Sequence, residues 1–130
     1  MADVIKVGAV VIRNRDGEVL TVRKNGAQLF QLPGGKPERG ETMPQTVVRE
    51  TSEEVGIELN PELLEYLGEF TASAANEPGH EVTGTIYTYP MPLAGFAPHA
   101  EIAELRWAEP VPYSEGFAPL LSTRVFPALG

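Results

Sequence analysis

The sequence predicts one α/β or α+β domain over residues 1–130, in which helices cover a mixed β-sheet. The length of 130 residues is enough for one compact domain and too short for two. The predicted elements follow the order strands, helix, strands, short helix, which favours a mixed sheet with helices over a helical bundle or an all-β sandwich. A content of 42% hydrophobic and 22% charged residues is that of an ordinary globular protein.

Two strands joined by a turn are predicted at the start of the chain. Residues 5–12 form an apolar run typical of a buried strand, and residues 14–17 (Asn, Arg, Asp, Gly) favour a turn. Residues 18–22 alternate in polarity and are expected to pair with the first strand as a hairpin. A short strand over 29–32 and a loop over 36–41 follow.

The clearest element is a helix predicted over residues 43–55. Thr42 followed by Gln45 is a capping-box pattern, and Pro44 lies in the first turn, where its missing N–H costs little. Gly56 is the expected left-handed stop. The predicted core face of this helix consists of Val47, Val48, Thr51 and Val55.

Three glutamates share another face of the predicted helix. Glu50, Glu53 and Glu54 stand at positions i, i+3 and i+4, off the predicted core face. Each like-charge pair costs roughly 0.2–0.5 kcal/mol, and the negative end of the helix dipole adds to that cost. One interpretation is a solvated acidic face. The other is a site for Mg²⁺ or Mn²⁺, because clustered carboxylate oxygens are ligands that these ions prefer, and we favour this second interpretation.

The rest of the chain predicts mostly strands. Residues 63–71, 81–89 and 104–108 have strand patterns, and residues 117–121 show weak helical periodicity. The polar, glycine-containing segment 74–80 lies between two of these strands and is predicted to be a substrate loop.

Charge and composition exclude several classes of function. Ten Lys and Arg against 18 Asp and Glu give a formal net charge of −8, which argues against a long nucleic-acid partner. A small anionic substrate would need a bound cation to offset Coulomb repulsion. The absence of cysteine excludes disulfides and thiolate metal sites. No segment predicts a signal peptide or a membrane span, so a cytoplasmic location without a membrane partner is expected.

Residues 35–57 resemble the Nudix box, G-x₅-E-x₇-R-E-U-x-E-E-x-G-U, in which U is a bulky aliphatic residue. Thr51 departs from the pattern at an aliphatic position, which concerns packing and leaves the charged residues intact. The strands on either side also resemble the layout of the Nudix family over nearly the whole chain. The matched positions are Gly35, Glu41, Arg49, Glu50, Glu53, Glu54, Gly56 and Ile57.

The resemblance implies a Nudix-type α/β/α sandwich and metal-dependent hydrolysis of a nucleoside diphosphate linked to another group. It implies that Glu50, Glu53 and Glu54 bind the metal, and that one of them or a glutamate of a later loop takes the proton of the attacking water. Glu101 and Glu104 are candidates for that later glutamate, which would be an additional metal ligand or the base, and Glu101 is favoured because Glu104 is expected to lie in a strand. A homodimer is compatible with the resemblance.

The resemblance also assigns supporting roles. Arg49 would orient a catalytic glutamate by ion pairing, which makes Arg49, Glu50, Glu53 and Glu101 the predicted catalytic set. The predicted substrate-binding set comprises Gly34, Gly35, Lys36 and Glu41. Within that set, Glu41 either reaches the glutamate cluster or supports its loop by hydrogen bonds, and support is favoured.

The substrate is predicted less directly. Subgroups of the family that cleave ADP-ribose or diadenosine polyphosphates carry a proline or a tyrosine about 16 residues after the box, where this chain has Ser73, Ala74 and Ala75. The small size resembles the MutT-like branch, which acts on nucleoside triphosphates, including oxidised ones. Hydrolysis of ADP-ribose or a nucleoside-diphosphate sugar is the enzymatic alternative. A non-catalytic nucleotide-sensing module is the alternative of another class, and the complete set of box glutamates disfavours it.

Overall fold

A computed structural model describes residues 4–75 and 78–130. Within these ranges, no helix is both long enough and apolar enough to cross a membrane. The elements in chain order are β1 (Val4–Val11), β2 (Val19–Lys24), β3 (Gly34–Gly35), α1 (Met43–Val55), a 3₁₀ turn (Pro61–Leu63), β4 (Glu65–Ser73), β5 (Glu81–Thr88), β6 (Ile102–Ala108), a π-helix (Leu120–Val125) and α2 (Phe126–Leu129).

The strands form two sheets. The larger sheet has the order β3-β1-β5-β4, in which β1 and β5 are parallel and the other neighbours are antiparallel. The smaller sheet is the antiparallel pair of β2 and β6. The α+β class with a mixed sheet is therefore confirmed.

Helices cover the sheets on both sides, because successive side chains of β1 point to opposite faces. Ala9 and Val11 belong to one apolar cluster with residues of the C-terminal helices, and Val10 and Ile12 belong to a second cluster with residues of α1. The helix residues in these clusters are Leu121, Val125 and Phe126 on the first side and Val47 and Val55 on the second. The result is the expected α/β/α arrangement.

The predicted hairpin of β1 and β2 is only partly right. The turn forms, since Leu20 N donates to Ile12 O at 2.9 Å and Arg13 forms an isolated antiparallel β-bridge with Val19. Beyond that bridge, β2 leaves β1 and pairs with β6 instead. The pairing partner depends on packing against residues far along the chain, which the local pattern does not contain.

Other boundaries differ by a few residues. The predicted strand over 29–32 is reduced to isolated bridges at Phe30 and Gln31, whereas Gly34–Gly35, where no strand is predicted, pairs with Gly8 and Ala9 of β1. The C-terminal helical segment begins later than the predicted 117–121. By contrast, α1 has the predicted bounds, both bonds of the capping box and a left-handed Gly56 at φ 76°.

Candidate active site

A cavity of about 620 Å³, called the cleft below, opens beside β3 and α1. Ser73, the last residue of β4, also lines it, as do Ala74 and Ala75, which begin the predicted substrate loop over 74–80. Residues 76 and 77 of that loop lie outside the described residues. The predicted site residues that line the cleft are Gly34, Gly35, Lys36, Arg49, Glu50 and Glu101.

The two glycines of β3 allow the backbone to approach both β1 and α1. A Cβ at Gly34 would collide with the Gly8 carbonyl oxygen and with Ala9 of the neighbouring strand. A Cβ at Gly35 would lie 2.6 Å from the carboxyl carbon of Glu50. Because Gly35 carries no side chain, the carboxylate of Glu50 can rest directly against the strand.

Glu54 is buried beside this strand, with 2% of its surface exposed. Its Oε1 atom accepts a hydrogen bond from Gly34 N at 3.0 Å, and its Oε2 atom has no partner among residues 4–75 and 78–130. Burial raises the pKa of Glu54 to about 7. The expectation that all three glutamates lie off the core face is therefore wrong for Glu54, because the side-chain-free backbone of β3 lies over the end of the helix.

Arg49 is the centre of an ion-pair network. Its Nε donates to Glu41 Oε2 at 2.8 Å, and its Nη1 donates to Glu50 Oε1 at 2.8 Å. The Nη2 atom donates to Lys36 O at 3.1 Å and so holds the loop after β3. The position of Glu50 is thereby set on one side by Arg49 and on the other by Gly35.

Glu41 lies in that network and does not line the cleft. Its Oε1 atom accepts from Thr46 Oγ1 at 2.6 Å and from Glu38 N at 2.9 Å. The hydrogen bond from Arg49 is the main reason that its pKa is lowered to about 2. These contacts are those expected of a residue that supports the loop.

Glu53 lies on the other side of Arg49. Its side chain is 55% exposed, and its Oε2 atom is 3.5 Å from Arg49 Nη1. It lines a separate hollow with Gln45, Ser52 and Glu58. Glu50 and Glu53 therefore contact the same guanidinium but line different cavities.

Of the two candidates for the later glutamate, Glu101 and Glu104, only Glu101 lines the cleft. Its carbonyl oxygen accepts from Asn25 N at 2.8 Å, and the preceding loop is tied to α1 by His99 N, which donates to Glu54 O at 2.9 Å. Glu104 lies in β6 and pairs with Arg23 at 3.2 Å. The loop thus carries Glu101 to the end of α1, near Glu54.

Sequence reasoning missed several residues of the cleft, among them Lys24 and Gln31. The sequence around Lys24 gives no local signal for the cleft, because this side chain reaches it only after β2 pairs with β6. The one available signal concerned Gln31, a polar residue between apolar Phe30 and Leu32, which are both buried. This alternation indicates that the side chain of Gln31 does not share the environment of its two neighbours.

The donor set suits a hard divalent cation. Glu50, Glu53, Glu54 and Glu101 offer carboxylate oxygens, and the partnerless Oε2 of Glu54 is a buried acceptor of the kind that a cation would satisfy. In the described part of the chain, no three Asp, Glu or His side chains are already gathered as a metal site. Glu53 and Glu101 are exposed, so their side chains are free to change rotamer, whereas Glu50 and Glu54 are held.

Comparison with known proteins gives consistent matches. A family model described as NUDIX domain matches residues 4–118. The 8-oxo-dGTP diphosphatase of Haemophilus influenzae is 48% identical over 67 residues, which are 48% of this chain and 49% of that protein. The Escherichia coli protein of the same name is 42% identical over 57 residues, which are 41% of this chain and 44% of that protein. The matches thus span about half the length of these relatives.

A solved structure extends the likeness over the whole fold. The MutT protein from Methanosarcina mazei has a TM-score of 0.76 with 22% identity, and the match covers 96% of this chain and 91% of that one. At this identity the likeness concerns the fold alone.

Proposed function

Because the chain belongs to the NUDIX domain family, which its match over residues 4–118 shows, we propose that it is a metal-dependent nucleoside triphosphate pyrophosphohydrolase. The proposal is that water attacks a phosphorus atom of the triphosphate, the phosphoanhydride bond breaks, and a nucleoside monophosphate and pyrophosphate leave. The relatives named 8-oxo-dGTP diphosphatase support a triphosphate, and they make oxidised deoxynucleotides the first candidates.

The observation that carries the proposal is the pairing of Glu50 and Glu54 at β3. One carboxylate is fixed against Gly35 by Arg49, and the other is buried with one oxygen satisfied by Gly34 and the second without a partner. A buried carboxylate oxygen without a partner costs roughly 1–3 kcal/mol or more in a fold that has no use for it. A cation at this position would remove that cost.

In this proposal, Glu50, Glu53, Glu54 and Glu101 hold Mg²⁺ or Mn²⁺. The bound cation would supply positive charge against the phosphates and make a water molecule more acidic. Arg49 positions Glu50, and the Gly34 N–H fixes the Oε1 atom of Glu54 and leaves the Oε2 atom for the cation. Glu50, Glu53 or Glu101 accepts the proton of the attacking water. Lys36 and the backbone of Gly34 and Gly35 contact the phosphates, and Glu41 supports their loop.

The proposal also covers the domain organisation, the partners and the location of the protein. We propose that residues 1–130 form one domain, supported by a family match over 4–118. The net charge of −8 supports a small nucleotide over a long nucleic acid. The cytoplasmic location and the homodimer stay predictions.

The test is hydrolysis of a panel of nucleotides in the presence of Mg²⁺ or Mn²⁺. The panel contains the nucleoside triphosphates, 8-oxo-dGTP, ADP-ribose and a nucleoside-diphosphate sugar, with separate assays for pyrophosphate and orthophosphate. We expect a triphosphate to be the best substrate and pyrophosphate to be the product, with no reaction in EDTA.

Matched variants assign the roles. Loss of an outer-shell partner of a metal typically costs 10–100-fold, so loss of a ligand in Glu54→Gln or Glu53→Gln is expected to cost at least about 100-fold. Exposed Glu69 on β4 provides the control Glu69→Gln, which should keep full activity. No turnover of any nucleotide, or turnover that survives both ligand variants, would contradict the proposal.

A further inference from the structure

Lys24, the last residue of β2, is a cation of the cleft that has no role in the reaction as proposed. Its side chain is half-buried and lines the cleft, as do Lys36, Glu50 and Glu101. No ion pair of Lys24 within 4 Å is found in residues 4–75 and 78–130. A lysine in a concave, acidic site without a fixed partner is available to a ligand.

The backbone explains why Lys24 faces the cleft while Arg23 does not. The register of β2 against β6 shifts at this point, with Arg23 opposite Glu104 and Lys24 opposite Ile102. Arg23 is partly buried and does not line the cleft; it pairs with Glu104 at 3.2 Å and donates to Ala27 O at 3.1 Å. Successive side chains of a strand point to opposite faces of the sheet, so Lys24 points to the face that lines the cleft.

The strand end that carries Lys24 is also fixed to the loop of Glu101. Asn25 N donates to Glu101 O at 2.8 Å, so the residue after Lys24 is bonded to the glutamate of the cleft. Burial raises the pKa of Glu54, and the charges of Glu50 and Glu101 add to that effect while the ammonium of Lys24 opposes it. The charge of Lys24 therefore acts on Glu54 together with the charges of Glu50 and Glu101.

We propose that the ammonium of Lys24 donates a hydrogen bond to a phosphate oxygen of the substrate, which makes it a further substrate-contacting residue. This inference rests on the proposed function, since it takes the ligand of the cleft to be a nucleoside triphosphate. The reason is charge: a triphosphate entering a cleft with several carboxylates needs cations beyond the bound metal, and Lys24 provides one on the Glu101 side.

Three variants test the role. Lys24→Met removes the ammonium at similar side-chain length, and Lys24→Arg keeps the positive charge. Lys6→Met makes the same change of net charge on the exposed part of β1, outside the cleft. The thermal unfolding temperature of each variant is measured first, to establish that it is folded.

Binding of inorganic tripolyphosphate with Mg²⁺, measured by calorimetry, is the first readout because it does not require turnover. A hydrogen bond between charged groups predicts about tenfold weaker binding for Lys24→Met. We expect Lys24→Arg to stay within about threefold of the original protein and Lys6→Met to be unchanged. With the best nucleotide of the panel, Lys24→Met should raise KM about tenfold and change kcat by less than about threefold.

The outcomes separate this inference from the proposed function. Unchanged tripolyphosphate binding by Lys24→Met, or equal losses in Lys24→Met and Lys24→Arg, would overturn the role of Lys24. Failure of the original protein to bind tripolyphosphate would also overturn it. A protein that binds tripolyphosphate but hydrolyses no nucleotide would refute the proposed activity, while the calorimetric comparison would still decide the role of Lys24.

Discussion

At the residue scale, two buried threonines of α1 differ in how their hydroxyl groups are satisfied. Thr46 and Thr51 are both fully buried. Thr46 Oγ1 donates to Glu41 Oε1 at 2.6 Å, whereas Thr51 Oγ1 has no partner within the described ranges. Thr51 is also the position at which the chain departs from the aliphatic residue of the Nudix box. The departure therefore places a polar atom in the core without a hydrogen bond.

We predict that Thr51→Val increases the free energy of unfolding by about 1 kcal/mol. Valine has nearly the same shape as threonine, and it removes a hydroxyl whose burial without a partner costs roughly 1–3 kcal/mol. Urea unfolding followed by circular dichroism measures the change.

Thr46→Val is the matched control on the same helix. It removes a hydrogen bond to a charged acceptor, so it should lower the free energy of unfolding by about 1–3 kcal/mol. Stabilisation by both variants, or destabilisation by both, would show that the difference between the two hydroxyl groups does not matter for folding.

At the element scale, the contact between β3 and α1 brings the candidate site together. The strand is only two residues long, and both are glycines that lie against other elements. The two positions differ in what a side chain would meet. At Gly34 the obstacle is the backbone of β1, and at Gly35 it is the end of the flexible Glu50 side chain.

We predict that Gly35→Ala reduces turnover while the protein stays folded. The new methyl group displaces the carboxylate of Glu50, and a misplacement of about 1 Å in a catalytic group can cost about 100-fold in rate. The fold should lose less than about 1.5 kcal/mol, because the obstacle is the end of one side chain, which can move aside, and not backbone. The measurements are kcat for the best nucleotide and the midpoint of urea unfolding.

Gly34→Ala provides the contrast. Its methyl group meets backbone atoms that cannot move aside, so the free energy of unfolding should fall by about 1–3 kcal/mol or more. If Gly35→Ala proved as destabilising as Gly34→Ala, or left turnover unchanged, the close packing of Glu50 against β3 would not be what positions this carboxylate.

At the scale of the whole molecule, the burial of Glu54 links folding stability to pH and to metal. Its pKa is raised from the usual 4.5 to about 7 in the folded protein. Between these pH values the folded state holds a proton that the unfolded state has lost. The stability contributed by this group is therefore complete below pH 4.5 and is lost as the pH rises through 7. Glu41, whose pKa is lowered to about 2, acts in the opposite direction and only as the pH falls below 4.5.

We predict that the metal-free protein is less stable at pH 7.5 than at pH 5, by an amount on the order of 3 kcal/mol. A cation binds the ionised carboxylate of the folded state, so Mg²⁺ at 100 times its Kd should restore about 2.7 kcal/mol at pH 7.5. Urea unfolding at both pH values, in EDTA and then in Mg²⁺, measures the two effects.

Two variants identify the group responsible. Glu54→Gln should remove both the loss of stability between pH 5 and 7.5 and the gain in Mg²⁺, whereas Glu69→Gln should keep both. A pH dependence that persists in Glu54→Gln would mean that a different group titrates in this range.

The features that the sequence alone predicted correctly depend on residues that are close together in the chain. The bounds of α1, its capping box and its left-handed stop depend on residues within one or two turns of each other, so the pattern predicts them correctly. The spacing of the Nudix box is likewise local, and it led to the family that the match over residues 4–118 then showed. The mixed sheet followed from the order of the elements.

The tertiary structure decided which of these residues meet. The burial of Glu54, the choice of β6 as the partner of β2, the separation of Glu53 from the cleft and the entry of Lys24 into it all depend on contacts between distant parts of the chain. Propensity and periodicity describe neighbours in sequence. The desolvation and strand pairing that set these positions act between residues that are neighbours only in space.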